Sequence, residues 1–148
     1  MPLDGVYAPG TSAASRRQAE SFEASNGQRS ATMRGMPIVV LTSVGAKSGL
    51  LRKSPLMRVE HEGVYAVVAS LGGAPEHPVW YYNVVAHPHV ELQGGAHKRD
   101  YLAHEAQGEQ RDLWWQRAVA AYPDYAAYAR KTQRLIPVFV LEPFDPSA

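Results

Sequence analysis

The sequence contains no cysteine and no long apolar run. Without cysteine the chain forms neither a disulfide framework nor a thiolate nucleophile, which agrees with a cytoplasmic location. Its apolar runs are far shorter than the roughly 20 residues that a membrane-spanning helix needs. The first residues also lack the basic start and apolar stretch of a secretory signal. We therefore expect a cytoplasmic protein with no membrane-spanning segment.

The chain also lacks an excess of charge of either sign. It carries 15 Lys and Arg against 14 Asp and Glu in 148 residues, a formal net charge of +1. A nucleic-acid binder presents a clear basic excess, so we expect no nucleic-acid partner and only a local anion site. The length fits one domain, which we place at residues 15–148. Residues 1–14 are rich in Pro, Gly, Ser and Ala and are predicted to form a flexible arm.

Turn signals divide the chain into about six mostly antiparallel strands with connecting helices. Glu62-Gly63 and Gly94-Gly95 each predict a hairpin. The predicted strands cover residues 38–43, 55–61, 64–70, 90–93, 97–105 and 136–142. The predicted helices run from 15 to about 25, from 78 to 86, from 107 to 121 and from 123 to about 134. Regular βαβ alternation is absent, so we predict an α+β fold whose hairpins curl into a small barrel.

The first predicted helix is weakly apolar. Ser15 and Gln18 have capping-box spacing, but Phe22 is its only large apolar residue. Three interpretations stay open, of which packing on the body of the protein is the simplest. The others are a cover over a ligand and a peripheral contact with the inner face of the membrane.

The stretch TSVGAKSGLLRKSP, residues 42–55, follows the strongest predicted strand. Its glycines allow backbone N–H groups to point outward toward an anion. The donor side chains are Lys47, Ser48, Arg52, Lys53 and Ser54. The spacing excludes a Walker A loop. A phosphate site and an ordinary solvated loop fit the spacing about equally well.

The segment SLGGAPEHPVWYYN, residues 70–83, combines glycines with aromatic rings. Gly72-Gly73 permit close approach of a ligand to the backbone, and the following helix presents Trp80, Tyr81 and Asn83 to the same space. In the alternative interpretation Trp80 and Tyr82 are core anchors, which we expect for at least one of them.

Tyr122, Tyr125 and Tyr128 recur every three residues and share one face of a helix. Their spacing favours packing at a core edge over a polar pocket wall. The histidines have no metal-ligand spacing, and the motifs of nucleophilic hydrolases and zinc proteases are absent. We therefore expect no metal site, and any chemistry would belong to a bound cofactor.

In this order, these segments resemble the deazaflavin-dependent nitroreductase family of actinobacteria, whose members use coenzyme F420 on a split β-barrel like that of FMN-binding proteins. The resemblance runs from about Ile38 to Pro143. Its motifs are G-x-K-S-G with Arg52, A-S-x-G-G-A-P-x-H-P-x-W-Y-x-N at residues 69–83, A-Y-P-x-Y-x-x-Y at 121–128, and I-P-V-x-V-L-E-P at 136–143.

The resemblance implies a set of cofactor-binding residues. For the phosphate and acidic tail it implies Lys47, Ser48, Arg52, Lys53 and Ser54. For the deazaflavin it implies Pro55, Leu56, Met57, Val68, Ala69, Ser70, Leu71, Val79, Trp80, Tyr81, Tyr82, Asn83 and Tyr125. Met57, Tyr122 and Tyr128 would shape the substrate side. Ala46 and Leu71 stand where the best-known family member has basic side chains, and Met57 stands where a substrate-side tyrosine is expected.

The resemblance implies an F420H2-dependent reductase that transfers hydride to a small conjugated acceptor, which is a quinone, an enone or lactone, or a nitro compound. Ser70 and Tyr125 are the candidates for polarising an acceptor oxygen or delivering a proton. Two alternatives remain, a carrier that binds F420 without chemistry and an FMN enzyme on the same barrel. The sequence leaves monomer and homodimer open.

Overall fold

A computed structural model describes residue 3, residues 5–8 and residues 12–145. The other parts of the predicted arm and the last three residues of the predicted domain lie outside the described residues. The helices are α1 (Ala13–Ala24), α2 (Val79–Ala86), α3 (Gly108–Ala121) and α4 (Asp124–Lys131). The strands are β1 (Thr32–Met33), β2 (Met36–Val44), β3 (Leu51–Met57), β4 (Val59–His61), β5 (Val64–Val68), β6 (His89–Gly94), β7 (His97–Glu105) and β8 (Val138–Pro143).

The strands form one eight-stranded sheet with the order β1-β2-β6-β7-β8-β5-β4, and β3 pairs with β2. Every strand pairing described is antiparallel. The four helices lie in the connections and before the first strand, so the predicted α+β barrel-like architecture is confirmed.

Both predicted hairpins form. His61 pairs with Val64 across Glu62 and Gly63, whose φ values are 52° and 82°. Positive φ at both central residues matches the right-handed twist of the flanking strands. The second turn lies one residue later than predicted, because Gly94 pairs with His97 and still belongs to β6.

The prediction was wrong about residues 51–54, which were assigned to the anion loop. They form the first half of β3, with Leu51 opposite Val44 and Ser54 opposite Leu41. Basic and polar residues obscured the strand in the sequence, because its stability comes from the ladder with β2 rather than from local propensity. The predicted loop is therefore the tight turn at residues 45–50, followed by a strand that carries Arg52, Lys53 and Ser54.

Strand β2 lies at the centre of the fold and is buried on both faces. Ile38 and Val40 belong to a core cluster with Phe22 of α1 and Trp114 of α3. Val39 and Leu41 belong to a second cluster beneath α2. Burial on both sides explains why the sequence reads here as a continuous apolar run rather than an alternating one. Each such side chain contributes about 1.5–3 kcal/mol on burial.

The N-cap of helix α1 lies three residues before the predicted one, because Ser12 rather than Ser15 caps the helix. The Ser12 Oγ accepts a hydrogen bond from the Ser15 N–H at 3.3 Å. Ala19 and Phe22 are buried against the sheet, so the helix lies on the body of the protein. Among the described residues, no helix has the length and apolar character that would let it cross a membrane.

Residues 6–8 of the predicted N-terminal arm run beside β3, and residues 12–14 belong to the start of α1. The Ala8 N–H donates to the Leu51 carbonyl at 2.9 Å, and the Leu51 N–H donates to the Val6 carbonyl at 2.8 Å. Its flexibility stays a prediction. These residues and α1 both lie next to β3.

Candidate functional site

Two cavities adjoin along β3 and α2. The first, which we call the tyrosine cavity, has a volume of about 420 Å³. Its lining residues are Ser15, Met33, Arg34, Lys53, Ser54, Pro55, Leu56, Met57, Val68, Ser70, Leu71, Pro78, Trp80, Tyr122, Tyr125 and Tyr128. The second, which we call the turn cavity, has a volume of about 660 Å³. Its lining residues are Gly45, Ala46, Lys47, Ser48, Arg52, Lys53, Ser54, Val79, Trp80, Tyr82 and Asn83. Because Lys53, Ser54 and Trp80 line both, the cavities form one groove.

The turn at residues 45–50 is held by its own hydrogen bonds and by one buried side chain. The Gly45 N–H donates to the Leu50 carbonyl at 2.8 Å, and the Leu50 N–H donates to the Ser48 Oγ at 3.1 Å. Asn83 of α2 is 4% exposed, and its Oδ1 accepts from the Ala46 N–H at 3.0 Å. Asn83 therefore ties the turn to the helix that forms the opposite wall.

Replacing Asn83 with leucine should loosen this wall. The Ala46 N–H would lose its acceptor, and the Ser43 hydroxyl would lose the Asn83 amide that donates to it at 3.4 Å. We expect a loss of about 1 kcal/mol in the free energy of unfolding and a severalfold weaker binding of an anionic ligand in the turn cavity. Denaturant unfolding and calorimetry measure the two effects. The control is V85L, at a residue of α2 that is 55% exposed and lines neither cavity. Equal affinity in both variants would contradict the anchoring role.

The cations of β3 contact the N-terminal residues. The Arg52 Nη1 donates to the Ala8 carbonyl at 3.0 Å. The Lys53 Nζ lies 2.7 Å from the Glu23 Oε2, and both side chains are largely buried. No Asp or Glu side chain lines either cavity among the described residues. The groove is therefore basic, and one of its cations, Lys53, forms an ion pair with Glu23, which lines neither cavity.

The tyrosine cavity has a phenolic wall supplied by α4 and by Tyr122, which directly follows α3. The hydroxyls of Tyr122 and Tyr128 lie 2.9 Å apart and hydrogen-bond to each other. The Tyr125 ring packs edge-on against the Tyr122 ring at a centroid distance of 5.0 Å. Within the part of the chain that the structure describes, the Tyr125 hydroxyl has no hydrogen-bond partner. The Tyr125 hydroxyl is therefore free to donate its proton to a ligand.

Burial governs the protonation of these phenols. It raises the pKa of Tyr125 well above the ordinary value, and the neighbouring tyrosines add to the shift. Burial also raises the pKa of Tyr122, as does its hydrogen bond with Tyr128. A phenol whose pKa is raised keeps its proton at neutral and mildly alkaline pH, so Tyr125 remains a hydrogen-bond donor there.

The residues 69–77, which we call the strap, form one edge of the tyrosine cavity. Leu71, Gly72 and Gly73 have φ values of 44°, 63° and 82°. A left-handed conformation costs a non-glycine residue about 1–2 kcal/mol, so Leu71 is held in place by its surroundings. Such strain is typical of functional sites. Leu71 is 47% exposed and lines the tyrosine cavity in this conformation.

Arg134 holds the strap. Its guanidinium donates to the carbonyls of Ser70 at 2.8 Å, Ala74 at 2.9 Å and Ala69 at 3.1 Å. It also lies 3.0 Å from the His77 Nδ1. A planar group with several donors fits this set of acceptors, which a lysine could not reach together. Sequence reasoning missed Arg134, because no local motif relates it to a segment some 60 residues earlier in the chain.

The groove brings together all the predicted site residues except Ala69 and Tyr81. Ala69 is fully buried in the core. The Tyr81 ring stacks on His77 at 4.2 Å and packs against Phe139 at 5.6 Å, outside both cavities. Trp80 is both a core residue and a cavity wall. Tyr82 is 52% exposed, so the core-anchor interpretation was wrong for it. The roles of the predicted residues stay predictions.

Sequence reasoning also missed part of the groove. Ser15, Met33, Arg34 and Pro78 line the tyrosine cavity. Ser15 and the β1–β2 hairpin reach the cavity only through tertiary packing. The sole local signal was the dipeptide Arg34-Gly35, whose φ values of 50° and 78° mark a hairpin turn.

The curled antiparallel sheet and the long groove define a split-barrel protein of the kind that binds flavin-like cofactors. A solved structure described as an F420-H2 dependent reductase has the same fold, with 57% sequence identity and a TM-score of 0.69, over 72% of this chain and 94% of that one. A second solved structure, described as a domain-swapped dimer, has 51% identity and a TM-score of 0.71, over 86% of this chain and 96% of that one.

Sequence comparison identifies the family. The model of the F420H(2)-dependent quinone reductase family matches residues 14–143. An F420H(2)-dependent quinone reductase of Mycobacterium tuberculosis is 34% identical over 108 residues, which cover 71% of this chain and 72% of the relative. The chain belongs to the F420H(2)-dependent quinone reductase family. The family resemblance, the oxidoreductase class and the F420 coenzyme predicted from the sequence are confirmed, and the match extends further toward the N-terminus than predicted.

Proposed function

We propose that this protein uses reduced coenzyme F420 to transfer a hydride to a quinone. The observation that carries the proposal is the shape and chemistry of the groove. The turn cavity is lined by Lys47, Ser48 and Arg52, whose donor groups suit the phosphate and carboxylates of the coenzyme. The tyrosine cavity presents aromatic and apolar side chains, which suit a planar ring and a planar acceptor.

The volumes also fit an elongated ligand. Each cavity falls within the roughly 300–1,000 Å³ range of small-molecule sites, and the two share a wall at Lys53, Ser54 and Trp80. When bound, the reduced coenzyme supplies a hydride from a ring carbon. The protein then needs to hold donor and acceptor in contact and to exclude water.

The Tyr125 hydroxyl is the best placed group to assist the acceptor. A quinone that takes a hydride on one oxygen or carbon develops negative charge on an oxygen, and a preorganised donor stabilises that charge. Tyr125 is 4% exposed, lines the tyrosine cavity and has its hydroxyl unpaired within the described residues. Ser70, which is 8% exposed and lines the same cavity, is the second candidate.

Changing Tyr125 to phenylalanine should lower kcat by about tenfold while the dissociation constant of the coenzyme changes little, since only the donor is lost. Tyr128→Phe is the matched control, because the Tyr128 hydroxyl is already paired with that of Tyr122. Steady-state kinetics and equilibrium titration separate the two parameters. If Y125F turns over at the wild-type rate, Tyr125 has only a packing role.

The proposed function is tested by mixing the purified protein with reduced F420 and a panel of benzoquinones and naphthoquinones without oxygen. We expect oxidation of the coenzyme, seen in its absorbance, to follow quinone concentration. Tight binding with no turnover on quinones, enones or nitro compounds would favour a carrier. A yellow preparation that releases FMN on denaturation would favour an FMN enzyme.

A further inference from the structure

A carboxylate from α1 forms an ion pair with one of the cations of the proposed coenzyme site. The Glu23 Oε2 lies 2.7 Å from the Lys53 Nζ and 3.1 Å from the Lys98 Nζ. The side chain of Glu23 is 16% exposed and that of Lys53 is 14% exposed. The contact is therefore shielded from water, where an ion pair is screened less than on an open surface.

Lys53 has two possible partners of the same chemistry. It lines both cavities and so lies where the ring end and the anionic end of the groove meet. A carboxylate or phosphate of the coenzyme and the carboxylate of Glu23 are alternative acceptors for its ammonium group. While Glu23 holds Lys53, the positive charge that Lys53 adds to the groove is neutralised.

Lys98 is a second cation that forms an ion pair with Glu23. Its ammonium group contacts the same oxygen and lies on β7, outside both cavities. When Lys53 turns toward a ligand, Glu23 is not left as an unpaired, largely buried carboxylate, a state that carries a large desolvation cost. The exchange of partners is thus less costly than the simple rupture of a pair.

We propose that Glu23 is an internal competitor for the anionic end of the coenzyme and sets its affinity, with Lys98 retaining Glu23 when Lys53 binds the coenzyme. This inference rests on the proposed function and deepens it. The opposite role, in which Glu23 holds Lys53 in the correct position for the coenzyme, predicts an effect of opposite sign when Glu23 is neutralised.

The test is the dissociation constant of F420, measured by calorimetry, for the wild type and Glu23→Gln. We expect E23Q to bind F420 about three- to tenfold more tightly at low ionic strength, with a smaller gain at high salt. A deazaflavin that lacks the phosphate and the carboxylate tail should bind both proteins equally. The control is E20Q, which removes the same charge from the same helix, because Glu20 accepts a hydrogen bond from Tyr7 and contacts neither lysine. We expect E20Q to bind like the wild type.

Two further variants test whether Glu23 acts through Lys53 and Lys98. In a Lys53→Met background, E23Q should no longer change the F420 affinity, because the contested cation is absent. Lys98→Met should weaken F420 binding, since Glu23 would then depend on Lys53 alone. Thermal unfolding checks that each variant is folded. Unchanged or weaker binding by E23Q overturns the inference. A wild type that binds no F420 overturns the proposed function itself, so the two failures are distinguishable.

Discussion

Replacing Arg134 with methionine is expected to release the strap and to destabilise the protein. Three strap carbonyls would lose a charged donor, and hydrogen bonds to charged groups are worth about 1.5–3 kcal/mol each before compensation by water. Since these groups are only partly buried, we expect a loss of about 2–4 kcal/mol in the free energy of unfolding. Denaturant titration measures it.

The loss of Arg134 should also weaken ligand binding in the groove. Ser70 and Leu71 line the tyrosine cavity, and Leu71 keeps its left-handed backbone only while its neighbours are fixed. We expect R134M to bind F420 about 100-fold more weakly, which corresponds to roughly 2.8 kcal/mol. The F420 affinity of Arg134→Lys should fall between those of the wild type and R134M, because one ammonium group cannot donate to all the acceptors.

Arg130→Met is the control for charge. Arg130 lies in the last turn of α4 and is exposed, so its loss should cost only a few tenths of a kcal/mol through the helix dipole. If R134M unfolds and binds like R130M, then the hydrogen bonds of Arg134 do not hold the strap. The comparison separates a structural clamp from a general effect of positive charge.

The parts of the fold that the sequence predicts well are those with local signals. Glu62-Gly63 specifies a hairpin through its backbone conformation, and Pro78 with His87-Pro88 sets both ends of α2. The first half of strand β3 had no such signal, because basic and polar residues such as Arg52, Lys53 and Ser54 give it no apolar pattern. Its pairing with β2 decided its structure.

The same distinction between local signals and tertiary contacts applies to the candidate site. The cations of the turn and the aromatic residues of α2 were predicted because each group lies within one short segment. The partners of those cations were not predicted, since Glu23 and Lys53 lie 30 residues apart and meet only after α1 packs on the sheet. The unpaired state of the Tyr125 hydroxyl is also a tertiary property, because it depends on Tyr122 and Tyr128 bonding to each other.

Two adjacent glycines of the strap should respond very differently to alanine. Gly72 and Gly73 both have positive φ, so each substitution carries a left-handed backbone cost of about 1–2 kcal/mol. A Cβ on Gly72 would have no atom within 4 Å. A Cβ on Gly73 would lie 2.9 Å from the Tyr128 carbonyl oxygen and 3.1 Å from the Tyr128 Cα. Backbone atoms of a helix cannot rotate away as a flexible side chain does, so Gly73→Ala must push α4 outward.

We therefore expect G73A to lose about 2–5 kcal/mol in the free energy of unfolding, the left-handed cost together with about 1–3 kcal/mol of overpacking. G72A should lose about 1–2 kcal/mol. Because α4 carries Tyr125 and Tyr128, its displacement should also lower kcat/KM for a quinone in G73A, while G72A keeps most of its activity. Denaturant unfolding and steady-state kinetics on the pair test both effects. Equal losses in the two variants would mean that backbone strain alone matters at this turn and that contact between the strap and α4 does not position the phenolic wall.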